Sequence, residues 1–385
     1  MRSPAEELAA IDRADMRRRR RVLDSAQGVR VRADGRDYLS FCSNDYLGLA
    51  SDPRIAAAAI DALQRHGVGA GASHLVSGHH RLHGQLEESL AAHVGMSRAV
   101  LFGSGYLANL AIVTCLATRS TEVFADRLNH ASLNDAMVLS RAKFRRYAHC
   151  DVDALDAMLA QSRAAEKVVV TDAVFSMDGD IAPLPAILQT CERHDAWLVV
   201  DDAHGLGVLG KKGAGSLAHF GIDDPRIAYV GTLGKAAGVS GAFVAGATDL
   251  VELLIQRARS YVYTTASPPA LAAALLESMQ IIRDEEWRRE RLARLIARFS
   301  GKMVGRSWRL LASPTPIQPL IVGENAAAVA LAGSLESRGI LAPAIRPPTV
   351  PRGSARIRFS LSAAHSDEDI DLLVERLRAA EDGVQ

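Results

Sequence analysis

Seven short β-rich runs separated by longer stretches of helical periodicity occupy the region from about residue 50 to residue 245. The runs are 99–102, 122–125, 143–147, 167–171, 197–200, 227–230 and 242–245. Between most of them, apolar residues recur three and four apart, as in 107–116, 132–139, 152–159 and 184–191, which is the spacing of one face of a helix. Strand–helix alternation of this length implies an α/β fold with a largely parallel sheet covered on both faces. In such sheets ligands bind outside the carboxyl ends of the strands, so the chemistry is expected there.

Two segments stand apart from this alternation. Residues 1–45 are expected to open with an amphipathic helix that carries the run Arg17 to Arg21 on a solvated face, followed by a short hairpin near Gly28 to Tyr38. After a helical stretch at 271–299, a smaller α+β domain is expected, with strands at 319–322 and 356–360 and helices at 326–337 and 366–379. The last helix begins with Ser366 and Asp369 at capping-box spacing. The expected division is therefore 1–45, an amino-terminal helix and hairpin; 46–285, a large domain; and 286–385, a small carboxyl-terminal domain.

Charge narrows the partners. Lysine and arginine total 45 against 44 acidic residues, a formal net charge of +1, so no sustained basic field points to nucleic acid or to a membrane surface. No apolar run reaches the roughly 18 residues a membrane helix needs, and the amino terminus lacks the apolar core of a signal peptide. A cytoplasmic protein acting on small polar molecules is expected. Cys42, Cys115, Cys150 and Cys191 are far apart and read as reduced, mostly buried thiols, with no zinc or redox spacing. His79 and His83 are four apart, but no glutamate follows the first as in a metalloprotease, and no metal is expected.

Only six lysines stand among the 45 basic residues, and one is oddly placed. Lys235 follows the run 227–230 in TLGKAAG, among small and apolar neighbours. Loss of water there lowers an amine's pKa and favours the neutral nucleophile; the alternative is a side chain snorkelling to solvent. Asp201 ends the run before DDAHGLG, where a carboxylate can pair with a cation such as the ring nitrogen of pyridoxal phosphate. Alternatively Asp201 or Asp202 caps the next helix. The turn FGSGYLAN at 102–109 sets glycines between strand and helix, a place where free N–H groups hold an anion. It lacks the third glycine of a dinucleotide fingerprint and suits one terminal phosphate. Ser176, His130 and His204 occupy comparable strand-end positions, the histidine at 130 suited to stacking on a ring and the other two to binding a ring hydroxyl.

The segments FCSNDYLGL (41–49), GASHLVSG (71–78), VFSMDGD (174–180), DDAHG (201–205), GTLGK (231–235) and RPPTVP (346–351), in this order over nearly the whole chain, resemble those of the α-oxoamine synthases. The resemblance implies the aspartate-aminotransferase fold, fold type I of the pyridoxal-phosphate enzymes, with a mainly parallel central sheet. It also implies roles. Lys235 would hold the cofactor and act as base on the substrate α-carbon, Asp201 would pair with the pyridine nitrogen, and His130 would stack on the ring and meet substrate. Ser176 and His204 would contact the ring oxygen, and Gly105, Tyr106 and Thr232 the phosphate. Arg358 would anchor the amino-acid carboxylate with Asn44 near it, and Thr349 would line the substrate site. An arginine of the amino-terminal run would reach substrate, Arg18 being favoured over Arg17. Family members are homodimers with active sites at the interface, and 261–265 (YVYTT) resembles the part lent to the neighbouring subunit. The compact length and the segment 344–351 point to the member that condenses L-alanine with a pimeloyl thioester, carried by CoA or by a carrier protein. Sister enzymes acting on glycine with acetyl-CoA or succinyl-CoA share every cofactor residue.

Overall fold

In a computed structural model, residues 3–18, 20–304 and 308–381 are described, and contacts divide the chain into two compact units. One comprises Met1–Ser51, Ser176–Asp180 and Trp287–Gln385; the other comprises Asp52–Phe175 and Ile181–Glu286. The amino-terminal segment, expected to stand by itself, thus shares a unit with the carboxyl-terminal one. Its helix, Pro4–Arg13, starts with a capping box between Ser3 and Glu6 and has no buried residue. It ends before the arginine run. Asp15 takes the left-handed conformation, and the Arg346 guanidinium donates to the carbonyls of Asp15 and Arg17. The expected helical face for Arg17 to Arg21 is therefore corrected: the described members of the run lie on non-helical chain. Strands β1 (Arg30–Ala33) and β2 (Arg36–Ser40) form the expected hairpin. Asp34 and Gly35 make its two-residue turn with φ of 50° and 76°, the handedness that matches strand twist.

The larger unit holds a seven-stranded sheet. Its strands are β3 (Arg98–Phe102), β4 (Thr121–Asp126), β5 (Lys143–Tyr147), β6 (Glu166–Asp172), β7 (Ala196–Asp201), β8 (Ile227–Thr232) and β9 (Ala242–Gly246), in the order β3-β9-β8-β7-β6-β4-β5. The pairs from β8 through β7, β6 and β4 to β5 are parallel, and β9 runs against both its neighbours. Val168, Val169 and Val170 on β6 and Leu198, Val199 and Val200 on β7 are all buried, as strands covered on both faces require. Helices Gly105–Leu116 and Ala131–Ser140 pack beside the sheet through Ala108, Ile112, Leu133 and Met137. The parallel register brings the carboxyl ends of β4, β6, β7 and β8 to one edge.

In the other unit, β10 (Arg309–Leu310), β11 (Ile317–Gly323), β13 (Ala344–Ile345) and β14 (Ala355–Ser360) form a sheet ordered β10-β11-β14-β13. Strand β12 (Ile340–Leu341) instead pairs in parallel with β2, which ties the amino-terminal hairpin to this unit. The helical stretch expected at 271–299 is two helices, Pro269–Asp284 and Glu286–Met303, separated at Glu285. The final helix, Asp367–Glu381, has both capping-box bonds, Asp369 N–H to Ser366 Oγ at 3.1 Å and Ser366 N–H to Asp369 Oδ2 at 3.0 Å.

Candidate active site

Within the larger unit, Lys235 lies in the turn after β8, half-buried and flanked by buried Leu233, Ala236 and Ala237. Its Nζ is 2.9 Å from His204 Nε2. Asp201 closes β7 and is buried; its Oδ2 accepts from Asn109 Nδ2 at 2.5 Å and its Oδ1 from the Ala203 N–H at 3.0 Å. Asp202 does not precede a helix, but its carboxylate takes the first amide of helix Ser216–Phe220. It is buried and accepts from the Ser216 amide, the Ser216 hydroxyl and the Tyr229 hydroxyl, and burial pushes its carboxyl up to about 6.

His130 caps helix Ala131–Ser140 through Nδ1, which receives the Ser132 N–H at 3.2 Å and lies 2.7 Å from Ser132 Oγ. Partial burial lowers its pKa, against the opposing charge of Asp201. Its backbone N–H donates to Asp172 Oδ2 at 2.9 Å. Asp172 pairs in register with Asp201 across β6 and β7. Burial first, and the Asp201 charge second, push the Asp172 carboxyl well above the usual carboxylate range.

The glycine turn opens helix Gly105–Leu116, with Ser104 capping through its hydroxyl to the Leu107 N–H. The amides of Gly105 and Tyr106 lie in the first turn, where no intrahelical acceptor exists. A Cβ on Gly105 would stand 2.5 Å from Thr232 Cγ2, so only glycine lets this helix end approach β8 so closely. Tyr106 itself is exposed, and its hydroxyl donates to Asp135 Oδ2 at 2.6 Å.

A second group of side chains belongs to the other unit. Arg358, on β14, is only 6% exposed, yet its guanidinium meets neutral oxygens alone: Asn44 Oδ1 at 3.2 and 3.3 Å, Ser360 Oγ at 2.8 Å, Tyr46 Oη at 3.3 Å and the Ser176 carbonyl at 2.5 Å. Among the described residues it has no carboxylate partner, whereas its neighbour Arg356 pairs with Asp178 at 2.7 Å. A buried cation held only by dipoles is a receptor for an anion. Arg18 donates to Thr349 Oγ1 at 3.2 Å, so the two residues expected at the substrate site meet each other.

Sequence reasoning passed over Asn109, Ser132 and Asp172, and Tyr46 and Ser360 beside Arg358. Of these, Asp172 alone carried a signal, an acid ending an apolar run. Cys115 and Cys191 are buried, Cys42 and Cys150 partly so, and none of the four is in a disulfide. Two clusters carry metal-ligand atoms within 4.8 Å of one another, His74–His79–His83 and Asp126–His149–Cys150. In the first, both ring nitrogens of His83 are taken, by the His80 N–H and by the Ser267 carbonyl. In the second, the Asp126 carboxylate already receives Leu128, Cys150 and His149.

The described features fit pyridoxal phosphate: a glycine-made cradle at a helix start, a buried carboxylate at a strand end, and a half-buried lysine beside a histidine. Comparison agrees. The family model for class I and II aminotransferases matches residues 36–377. A curated 8-amino-7-oxononanoate synthase of Nitrosomonas europaea is 58% identical over 364 residues, 94% of each chain. One of Herminiimonas arsenicoxydans is 55% identical over 380 residues, covering 97% of this chain and 98% of its own. A solved structure of SPT with its PLP internal aldimine superposes with a TM-score of 0.93 at 28% identity, covering 99% of this chain and 96% of that one. The fold is the aspartate-aminotransferase-like type I fold of pyridoxal-phosphate enzymes.

Proposed function

The chain belongs to the class I and II aminotransferase family, and from that premise we propose that it is an α-oxoamine synthase of biotin biosynthesis. It condenses L-alanine with a pimeloyl thioester, releasing carbon dioxide and the free thiol and forming 8-amino-7-oxononanoate. The observation that carries this reading is Lys235 Nζ, 2.9 Å from His204, after the strand that neighbours buried Asp201.

Pyridoxal phosphate, when bound, supplies an electron sink for charge developing at the α-carbon. Lys235 would hold it through Nζ, and Asp201 would pair with its ring nitrogen. His130 would stack on the ring, and Ser176 and His204 would bind the ring oxygen. The amides of Gly105 and Tyr106 with the Thr232 hydroxyl would bind the phosphate. The Lys235 amine, when free, would take the α-proton of L-alanine at Nζ and return a proton to the product carbon. Arg358, held among neutral oxygens, binds the alanine carboxylate, with Asn44 fixing the guanidinium plane. Arg18 and Thr349 line the path of the acyl donor, and His130 orients substrate from its ring edge.

We read the enzyme as a cytoplasmic homodimer. Tyr263 and Val76 are 73% and 80% exposed, and a bridge between Ser73 and Thr265 sets their two segments side by side. An apolar surface of that kind fits a second copy of the chain. Among the described residues no helix is long and apolar enough to cross a membrane.

A panel of acyl thioesters assayed with L-alanine and with glycine tests the assignment. Alanine with the pimeloyl thioester should give the highest kcat/KM. Preference for glycine with acetyl-CoA or succinyl-CoA would move the protein to a sister activity.

A further inference from the structure

Asn109 is buried, and both hydrogens of its amide are committed. One goes to Asp201 Oδ2 at 2.5 Å and the other to Ser132 Oγ at 2.8 Å. Its Oδ1 has no hydrogen-bond partner. Turning the amide over would not cure this, because it would set one oxygen against the Asp201 carboxylate. The amide orientation is therefore dictated by its two acceptors.

The consequence reaches His130. Ser132 Oγ accepts from Asn109, so its single hydrogen is left for His130 Nδ1, 2.7 Å away. The Ser132 backbone N–H is directed at the same nitrogen from 3.2 Å. Two donors on one ring nitrogen require a lone pair there, which places the ring's proton on Nε2.

We infer that Asn109 is a positioning residue for the reaction: it orients the Asp201 carboxylate and, through Ser132, holds His130 as the tautomer protonated on Nε2. One side chain thereby sets the partner of the cofactor's ring nitrogen and the residue stacked on its ring. His130 acts as a hydrogen-bond donor at Nε2, and proton removal stays with Lys235. This rests on the roles of Asp201 and His130 proposed above, and Asn109 extends them by one shared amide.

The test uses the pyridoxal-phosphate-loaded enzyme labelled with 15N-histidine, the His130 signals being assigned by their loss in His130→Gln. Wild type should show a bare Nδ1 and a protonated Nε2 at about pH 8, where an imidazole is neutral. Ser132→Ala, which keeps only the backbone donor, should leave a mixture of tautomers with cofactor affinity within about threefold of wild type, while Asn109→Ala, which frees the Ser132 hydroxyl to turn away, should move the tautomer ratio in the same direction and weaken cofactor binding at least about tenfold. Should Asn109→Ala fail to fold, Asn109→Asp keeps the shape but opposes Asp201 with a second carboxylate, and a similar loss of affinity is expected. A proton on Nδ1 in wild type, or unchanged cofactor affinity in the folded Asn109 variant, would overturn the inference. None of these readouts involves L-alanine or a thioester. An enzyme with the Nε2–H tautomer that makes no amino ketone would sink the proposed function and leave this inference standing.

Discussion

Asp201 and Arg358 are the two side chains on which the proposed chemistry leans most, and each makes a distinct prediction. Asp201 is buried, with donors on both oxygens, so it is ordered before any cofactor arrives. Removing one partner of a buried ion pair costs about 3–5 kcal/mol, so Asp201→Ala should lower kcat by roughly a hundred- to five-thousandfold. The cofactor should remain attached at Lys235, which borohydride reduction and peptide mapping would show; normal turnover would refute the role. Arg358→Lys keeps the charge but loses the two-pronged fork. Its KM for L-alanine should rise about tenfold or more, while the KM for the thioester stays near wild type. An unchanged alanine KM would place the carboxylate elsewhere. Lys235 and Asp201 were legible in the sequence because each sets a charge at the end of an apolar run, whereas Arg358 was expected only from the resemblance of the chain to the α-oxoamine synthases. The partners that orient them were not. Asn109, Ser132 and Tyr46 are ordinary residues whose importance arises only from contacts across 92, 23 and 312 positions of sequence.

At the scale of elements, the helix Gly105–Leu116 has its first turn pressed against Thr232, and the fit depends on a missing methyl group. Gly105→Ala forces a Cβ to 2.5 Å from Thr232 Cγ2. Overpacking costs about 1–3 kcal/mol, so cofactor affinity should fall about tenfold or more. Gly103→Ala is the control, since its Cβ would meet Leu107 Cδ1 at an ordinary 3.7 Å. Equal effects from the two substitutions would contradict the cradle. The parallel strands were readable because burial on both faces leaves uninterrupted valine and leucine runs. The end of the first helix was not. Its stop at Ala14 and Asp15 is set with Arg346, more than 300 residues away, which takes the Asp15 carbonyl.

For the molecule as a whole, connectivity hides the grouping of the amino-terminal segment with the carboxyl-terminal one. No local pattern announces that β12 will pair with β2, or that Arg356 and Ser313 will hold residues 176–180 through Asp178 and Gly179. His365 makes one such long-range tie. Its ring stacks on Phe41, donates from Nε2 to the Ser40 carbonyl and accepts the Ser362 N–H at Nδ1. Burial lowers its pKa to about 4. The folded chain thus keeps this ring neutral while the unfolded chain protonates it near pH 6.5. Its stabilising contribution is complete above about pH 6.5 and is lost as pH falls toward 4, amounting to about 2 kcal/mol by pH 5. Urea midpoints should therefore drop between pH 7 and pH 5, and His365→Phe should flatten that dependence; an equally steep drop in the variant would assign the effect to other groups. The central claim, decarboxylative condensation at one site, is tested most directly with L-alanine labelled with 13C in its carboxylate and a pimeloyl thioester. The account predicts one labelled carbon dioxide released for each unlabelled 8-amino-7-oxononanoate formed, and an amino ketone retaining the label, or alanine left unconsumed by the loaded enzyme, would contradict it.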